Sequence, residues 1–170
     1  MSAAPDAALE ARVAGLCATL SREEKVALLA GSDLWHVPGV PRLGIPALKV
    51  ADGPTGARGE SFGGGPPSAC FSWGSALAAT FAPELAELVG AALAEEARSK
   101  GARVLLGPTL NLHRHPLGGR HFECPSEDPH LAARIAAAFV RGVQGRGVAA
   151  CPKHLVCNDT GHERHSKSSD

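Results

Sequence analysis

Three short apolar runs, Ala47–Ala51, Arg103–Leu106 and Val148–Cys151, alternate with two helix-length amphipathic segments, and this alternation is what most restricts the fold. The first segment, Pro83 to Ser99, has proline in its first turn and Gly101 as its stop, with Leu85, Leu88, Val89, Ala92 and Leu93 predicted as its apolar stripe. The second opens on Asp128-Pro129, carries Leu131, Ile135, Ala138 and Phe139 on one face, and ends at Gly145 and Gly147. The order strand, helix, strand, helix, strand predicts a parallel sheet with right-handed crossovers. Each strand opens at its C-terminal end into a polar stretch: Asp52 after the first, Arg114 to Glu123 after the second, Lys153-His154 after the third. A barrel of alternating strands and helices collects its active site on that face. A doubly wound nucleotide-binding sheet is the competing fold, weakened because no GxGxxG joins a strand to a helix.

The segments around this pattern fill in the rest. Ala7 to Leu20 reads as a helix, and Ser21 with Glu24 forms a capping box ahead of Val26, Leu28 and Leu29. Ser32 to Gly44 reads as a loop fixed by Trp35, Pro38 and Pro41. Gly53 to Thr80 is a long connection rich in Gly, Pro and Ser, a length more often functional than incidental. Its Gly63-Gly64-Gly65 run is not followed by Lys-Ser/Thr, so a P-loop is not expected. Three strands cannot close an eight-stranded barrel, which takes about 250 residues. The 170 residues are therefore expected to be the front part of a longer protein, an α/β partial (β/α)8 barrel.

Composition excludes several classes. Lys plus Arg and Asp plus Glu number 17 each, so charge gives no case for nucleic acid or an anionic membrane as partner. No apolar run approaches the length of a membrane span. The five scattered cysteines fit reduced thiols, and the first residues show no signal-peptide pattern, so a cytoplasmic location is expected. Cys151, Cys157, His162 and His165 could be drawn as a zinc set. Their spacing matches no standard finger and Lys153 would repel a cation, so no metal and no cofactor are expected.

The stretch VAACPKHLVCNDTGHER, from Val148 to Arg164, is the densest in chemistry. A short strand delivers Lys153 and His154 side by side, and Asp159, His162, Glu163 and Arg164 follow. That suits a sugar or anion site on a rigid scaffold, and equally a buried strand with a solvated tail. Asp52 is equally readable as a turn residue before Gly-Pro.

Four segments in order carry a family resemblance: the KVALLAG helix; RLGIPALKVADGPTGARG; EEARSKGARVLLGPTLNLHRHPLGGRHFECPSEDP; and GVAACPKHLVCNDTGHER. With them the chain resembles the N-terminal domain of glycoside hydrolase family 3, most closely its β-glucosidases, from about residue 24 to 170, with residues 1–23 as a helical extension. The resemblance implies a barrel and retaining hydrolysis of terminal β-D-glucosyl residues by a nucleophile and a general acid/base. In the family both carboxylates lie beyond the segments present here, so no catalytic residue is assigned and the 170 residues alone are expected to hydrolyse nothing. The resemblance places the sugar-ring pocket within the chain. It implies Asp52 as acceptor from sugar hydroxyls, Arg120, Lys153 and His154 as donors, and Arg164 as the group steadying the pocket's carboxylates. Arg114 is expected behind the pocket and Glu123 as a structural partner for a pocket cation. Trp35 and Trp73 either shape the pocket mouth or pack.

Two departures stand out. Cys151-Pro152 precedes Lys153, and His162 follows Gly161 where a carboxylate or Gln is more usual. Leu-Val-Cys-Asn-Asp after the Lys-His pair favours the glucosidase branch over the N-acetylhexosaminidases, whose pair is followed by a Gly-rich segment. The alternatives are a non-catalytic carbohydrate-binding remnant and, least favoured, a nucleotide-binding module. The expected partner is a β-glucoside or oligosaccharide. An open barrel would leave a strand edge unpaired, so poor solubility is also expected.

Overall fold

The computed structural model describes residues 6–59, 64–155 and 158. Two compact units make up the chain, residues 1–48 and 49–170.

In the first unit, Asp6 caps α1 (Ala7–Thr19), accepting from the N–H groups of Ala8 and Leu9. Ser21 and Glu24 form the expected capping box at the start of α2 (Arg22–Ala27). The expected loop contains a two-residue strand, β1 (His36–Val37), and a 3-10 turn at Pro41–Leu43. Arg42 ties that turn back: its Nε donates to Glu24 Oε1 at 2.6 Å and its Nη2 to the Thr19 carbonyl at 2.9 Å. The Arg42 guanidinium, aided by the Ser21 N–H, holds the Glu24 carboxyl down at about 2. A carboxyl lowered on folding stabilises above its unfolded value and loses that contribution as pH falls through the folded one. Carbon NMR of the Glu24 carboxyl is therefore expected to titrate near 2. Glu24→Gln is expected to remove acid sensitivity of the unit between the ordinary carboxylate range and that value.

The second unit holds the α/β core. Strands β2 (Leu48–Asp52), β3 (Val104–Leu106) and β4 (Ala149–Ala150) run parallel, with β3 central. Val50 and Asp52 align with Val104 and Leu106, and Val104 and Leu105 align with Ala149 and Ala150. The crossovers carry α4 (Pro83–Ser99) and α5 (Pro129–Gln144), as read from the sequence. These elements are the first strands and helices of a (β/α)8 barrel. β4 is shorter than the apolar run that announced it. Val148 is fully buried just before it, and the Cys151 N–H extends the pairing to the Leu105 carbonyl at 2.9 Å. One helix, α3 (Gly74–Ala78), lies inside the expected long loop. It has five residues and no capping side chain, so neither periodicity nor capping chemistry announces it. The Ser75 hydroxyl fixes it to the Phe122 carbonyl at 2.9 Å.

The apolar face of α4 differs in part from the predicted stripe: Leu93 is fully buried and Val89 packs against the core as expected. Ala86, Gly90, Leu93, Ala94 and Ala97 are buried, whereas Leu85 and Leu88 are 43% and 66% exposed. The reason is a close approach of α5. A Cβ on Gly90 would lie 2.4 Å from the Phe139 carbonyl oxygen, and one on Gly142 would lie 2.0 Å from that of Glu87. Small residues make the closest contact, and Leu85 and Leu88 turn aside. Helix propensity alone favours Gly142→Ala by about 1 kcal/mol. The clash is with main chain, which cannot swing away, and overpacking costs about 1–3 kcal/mol. Gly142→Ala is therefore expected to lower the melting temperature in a thermal denaturation scan, despite its better propensity.

α4 also fastens the connection that follows β2. The Glu96 carboxylate accepts from the Ala57 N–H at 3.1 Å and the Ala69 N–H at 2.7 Å. Lys100 Nζ lies 3.4 Å from Glu96 Oε1, and donates to Ser68 Oγ at 2.6 Å and to the Ala57 carbonyl. Gly101, at φ +77°, ends the helix directly after this pair.

Candidate active site

The polar ends of the three parallel strands converge as the sequence implied. Asp52 is the last residue of β2. Beyond β4, Lys153 continues the parallel pairing: its N–H donates to the Pro108 carbonyl and its carbonyl accepts from the Leu110 N–H, both at 2.8 Å. With its main chain so held, Lys153 sends its ammonium to Asp52 Oδ1 at 2.5 Å. Both side chains are about four-fifths buried. A charge-assisted bond of this kind fixes both groups while leaving the second carboxylate oxygen available for other donors.

His154 follows directly. Its N–H donates to Asn111 Oδ1 at 2.9 Å and its carbonyl accepts from Asn111 Nδ2 at 3.1 Å. Arg120 lies on the polar loop after β3 and makes an ion pair with Glu123. That bond holds the guanidinium above its ordinary value, against desolvation, and the Asp52 charge adds to the effect. Glu123 is thus the ion-pair partner of Arg120. Its carbonyl accepts from the Thr109 hydroxyl, which pins the loop onto the sheet end. His113 supports the same loop: its Nε2 bonds the Cys124 carbonyl at 2.9 Å and its ring stacks on His121. Trp73 packs edge-on against Phe122, with centroids 4.7 Å apart, while remaining half exposed. Arg164, and with it Asp159, His162 and Glu163, lies outside the described residues, as do Cys157 and His165.

Two residues at the site were not singled out from sequence. Arg58 Nε is 4.0 Å from Asp52 Oδ2, and the Arg58 N–H bonds the Asp52 carbonyl at 2.9 Å. The turn signal Asp-Gly-Pro was itself the clue, since a turn there returns the chain towards Asp52. Asn111 is the other; a lone Asn in a polar loop gives no such signal. The groove between α4 and α5, lined by Glu84, Glu87, Leu88, Arg141 and Arg146, contains none of these residues. The site is defined by the chemistry at the strand ends.

Residues 10–169 match the family model described as the glycosyl hydrolase family 3 N terminal domain. The chain belongs to glycoside hydrolase family 3. It is similar to probable beta-glucosidase J of Aspergillus fumigatus, 55% identical over 150 residues, which are 88% of this chain and 17% of that protein. Beta-glucosidase B of Emericella nidulans is 52% identical over 149 residues, 88% of this chain and 18% of the relative. The crystal structure of the Kluyveromyces marxianus beta-glucosidase in complex with glucose superposes with a TM-score of 0.85 at 50% identity, covering 87% of this chain and 18% of that one. That of Thermotoga neapolitana beta-glucosidase 3B in complex with glucose gives 0.81 at 40% identity, covering 88% and 24%. The family 3 chain thus spans less than a quarter of each of these relatives. Among its described residues, no helix is long and apolar enough to cross a membrane.

Proposed function

We propose that this family 3 chain carries the sugar-binding part of the active site of a retaining β-glucosidase, which releases terminal β-D-glucosyl residues from β-glucosides. The observation that carries the reading is the Lys153–Asp52 pair, at 2.5 Å across the ends of two strands that flank a third. A polyol needs fixed donors and acceptors converging from separate loops, and bonds to charged groups are the stronger ones. In this reading Asp52 accepts from ring hydroxyls. Lys153, His154 and Arg120 donate to neighbouring ones, and Arg164 steadies the carboxylates. Contacts that tighten as the ring flattens lower the barrier. The nucleophile and the acid/base of the retaining pair are assigned to none of these residues. A cytoplasmic location belongs to the same proposal, on the five scattered cysteines of the sequence, a pattern that suits reduced thiols.

Calorimetric titration of the intact gene product with glucose, gluconolactone and ATP tests it. Binding of the two sugars, weakened at least tenfold by Asp52→Ala, is expected, with no response to ATP; loss of one charged hydrogen bond is worth about that much. ATP binding, or sugar binding indifferent to Asp52→Ala, would overturn the proposal.

A further inference from the structure

One side chain takes hold of both main-chain groups of His154. Asn111 is 6% exposed and lies on the segment leaving β3, two residues beyond Thr109. Its Oδ1 accepts from the His154 main-chain N–H at 2.9 Å, and its Nδ2 donates to the His154 carbonyl at 3.1 Å. Those two bonds decide which end of the amide is oxygen, since only oxygen accepts from N–H and only the NH2 group donates to a carbonyl. The same Oδ1 lies 3.3 Å from His154 Nδ1. Asn158 Nδ2 lies 3.1 Å from that ring nitrogen as well, and in a neutral ring that donates through Nε2 it is Asn158 that Nδ1 bonds, as acceptor. Up to Lys153 the chain is held by main-chain pairing with Pro108 and Leu110. At His154 a side-chain amide takes over both main-chain groups.

We propose that Asn111 is the positioning residue for His154: one buried amide holds both of its main-chain groups and so sets where the imidazole stands. This rests on reading His154 as a sugar ligand. Asn111 does not touch the sugar, and it acts only through the imidazole. A ring free to rotate would meet the hydroxyl at varying distance, and misplacement by about an ångström costs on the order of 100-fold in rate.

The test uses the intact gene product as wild type, Asn111→Ala, His154→Ala and the double variant, with kcat/KM measured on an aryl β-glucoside. Asn111→Ala is expected to lower kcat/KM by about 10- to 100-fold in the wild-type background. It is expected to cost nothing further in the His154→Ala background, because groups acting as one unit are not additive. An equal fold loss in both backgrounds would overturn the proposal. Asn111→Asp guards against misfolding of the alanine variant. It has the same shape and keeps the acceptor for the His154 N–H, but lacks the donor to the His154 carbonyl. A loss in the same direction is expected, and full activity would overturn the proposal. Nitrogen-15 spectra of the His154 imidazole provide a readout independent of turnover. The ring-nitrogen signals are expected to shift in both Asn111 variants as the imidazole moves, and unchanged signals would overturn the proposal. A wild type that does not hydrolyse the glucoside would defeat the β-glucosidase reading alone, and the imidazole spectra would still decide the role of Asn111.

Discussion

Glu96→Ala is expected to destabilise the unit of residues 49–170 by about 3 kcal/mol, read as a lower urea midpoint at unchanged slope. The Glu96 side chain is 17% exposed and its Lys100 partner 10%, so both charges are largely withdrawn from water. Removing one partner of such a pair leaves the other charge uncompensated, at about 3–5 kcal/mol. Lys100 keeps the Ser68 hydroxyl and the Ala57 carbonyl, which places the loss at the lower end. The Ala57 and Ala69 N–H groups lose their acceptor at the same time. Glu96→Gln keeps one oxygen and is expected to cost less than the alanine variant. Lys100→Met added to Glu96→Ala is expected to cost less than the sum of the two, because no unpaired charge then remains. Strict additivity would show that the pair does not act as a unit.

Lys153→Ala is expected to lower kcat/KM of the intact gene product on an aryl β-glucoside by about 100-fold or more, from one charged hydrogen bond worth about 1.5–3 kcal/mol plus the displacement of Asp52. The Lys153 ammonium sets the position of Oδ1 at 2.5 Å, and Arg58, at 4.0 Å from Oδ2, is too distant to take its place. Lys153→Arg retains charge but spreads it over a wider planar group, so only partial recovery is expected. Kinetics on the three proteins checks this. An alanine variant within threefold of wild type would remove Lys153 from the sugar site.

The order of strands and helices was legible because period and punctuation agreed. Pro83 and Ser99 bound α4 as read, and Asp128 caps α5 by accepting from the His130 N–H at 2.9 Å. Asp52, Lys153 and His154 were legible because strand ends in an α/β fold all point one way. What failed was any inference needing side-chain size or distant partners. The stripe on α4 was right at Leu93 but wrong at Leu85 and Leu88, where burial went instead to Ala86, Gly90 and Ala97, since close helix contact selects small residues. α3 was missed because nothing local caps it. Asn111 was missed because its worth lies in His154, far along the chain, and no local pattern encodes such a partner.

The pair of anchors on Glu96 has a consequence for how the chain between them can vary. Ala57 and Ala69 are both tied to the same carboxylate, so the two ends of the intervening segment are both fastened to α4. Doubling the length of a flexible loop with fixed ends costs only about 0.6 kcal/mol. Residues can therefore be inserted or removed between these anchors while Asp52, five positions before the first of them, keeps its place at the strand end. Diversity of length in that stretch offers a route to remodelling the surroundings of the Asp52–Lys153 pair without disturbing the pair itself.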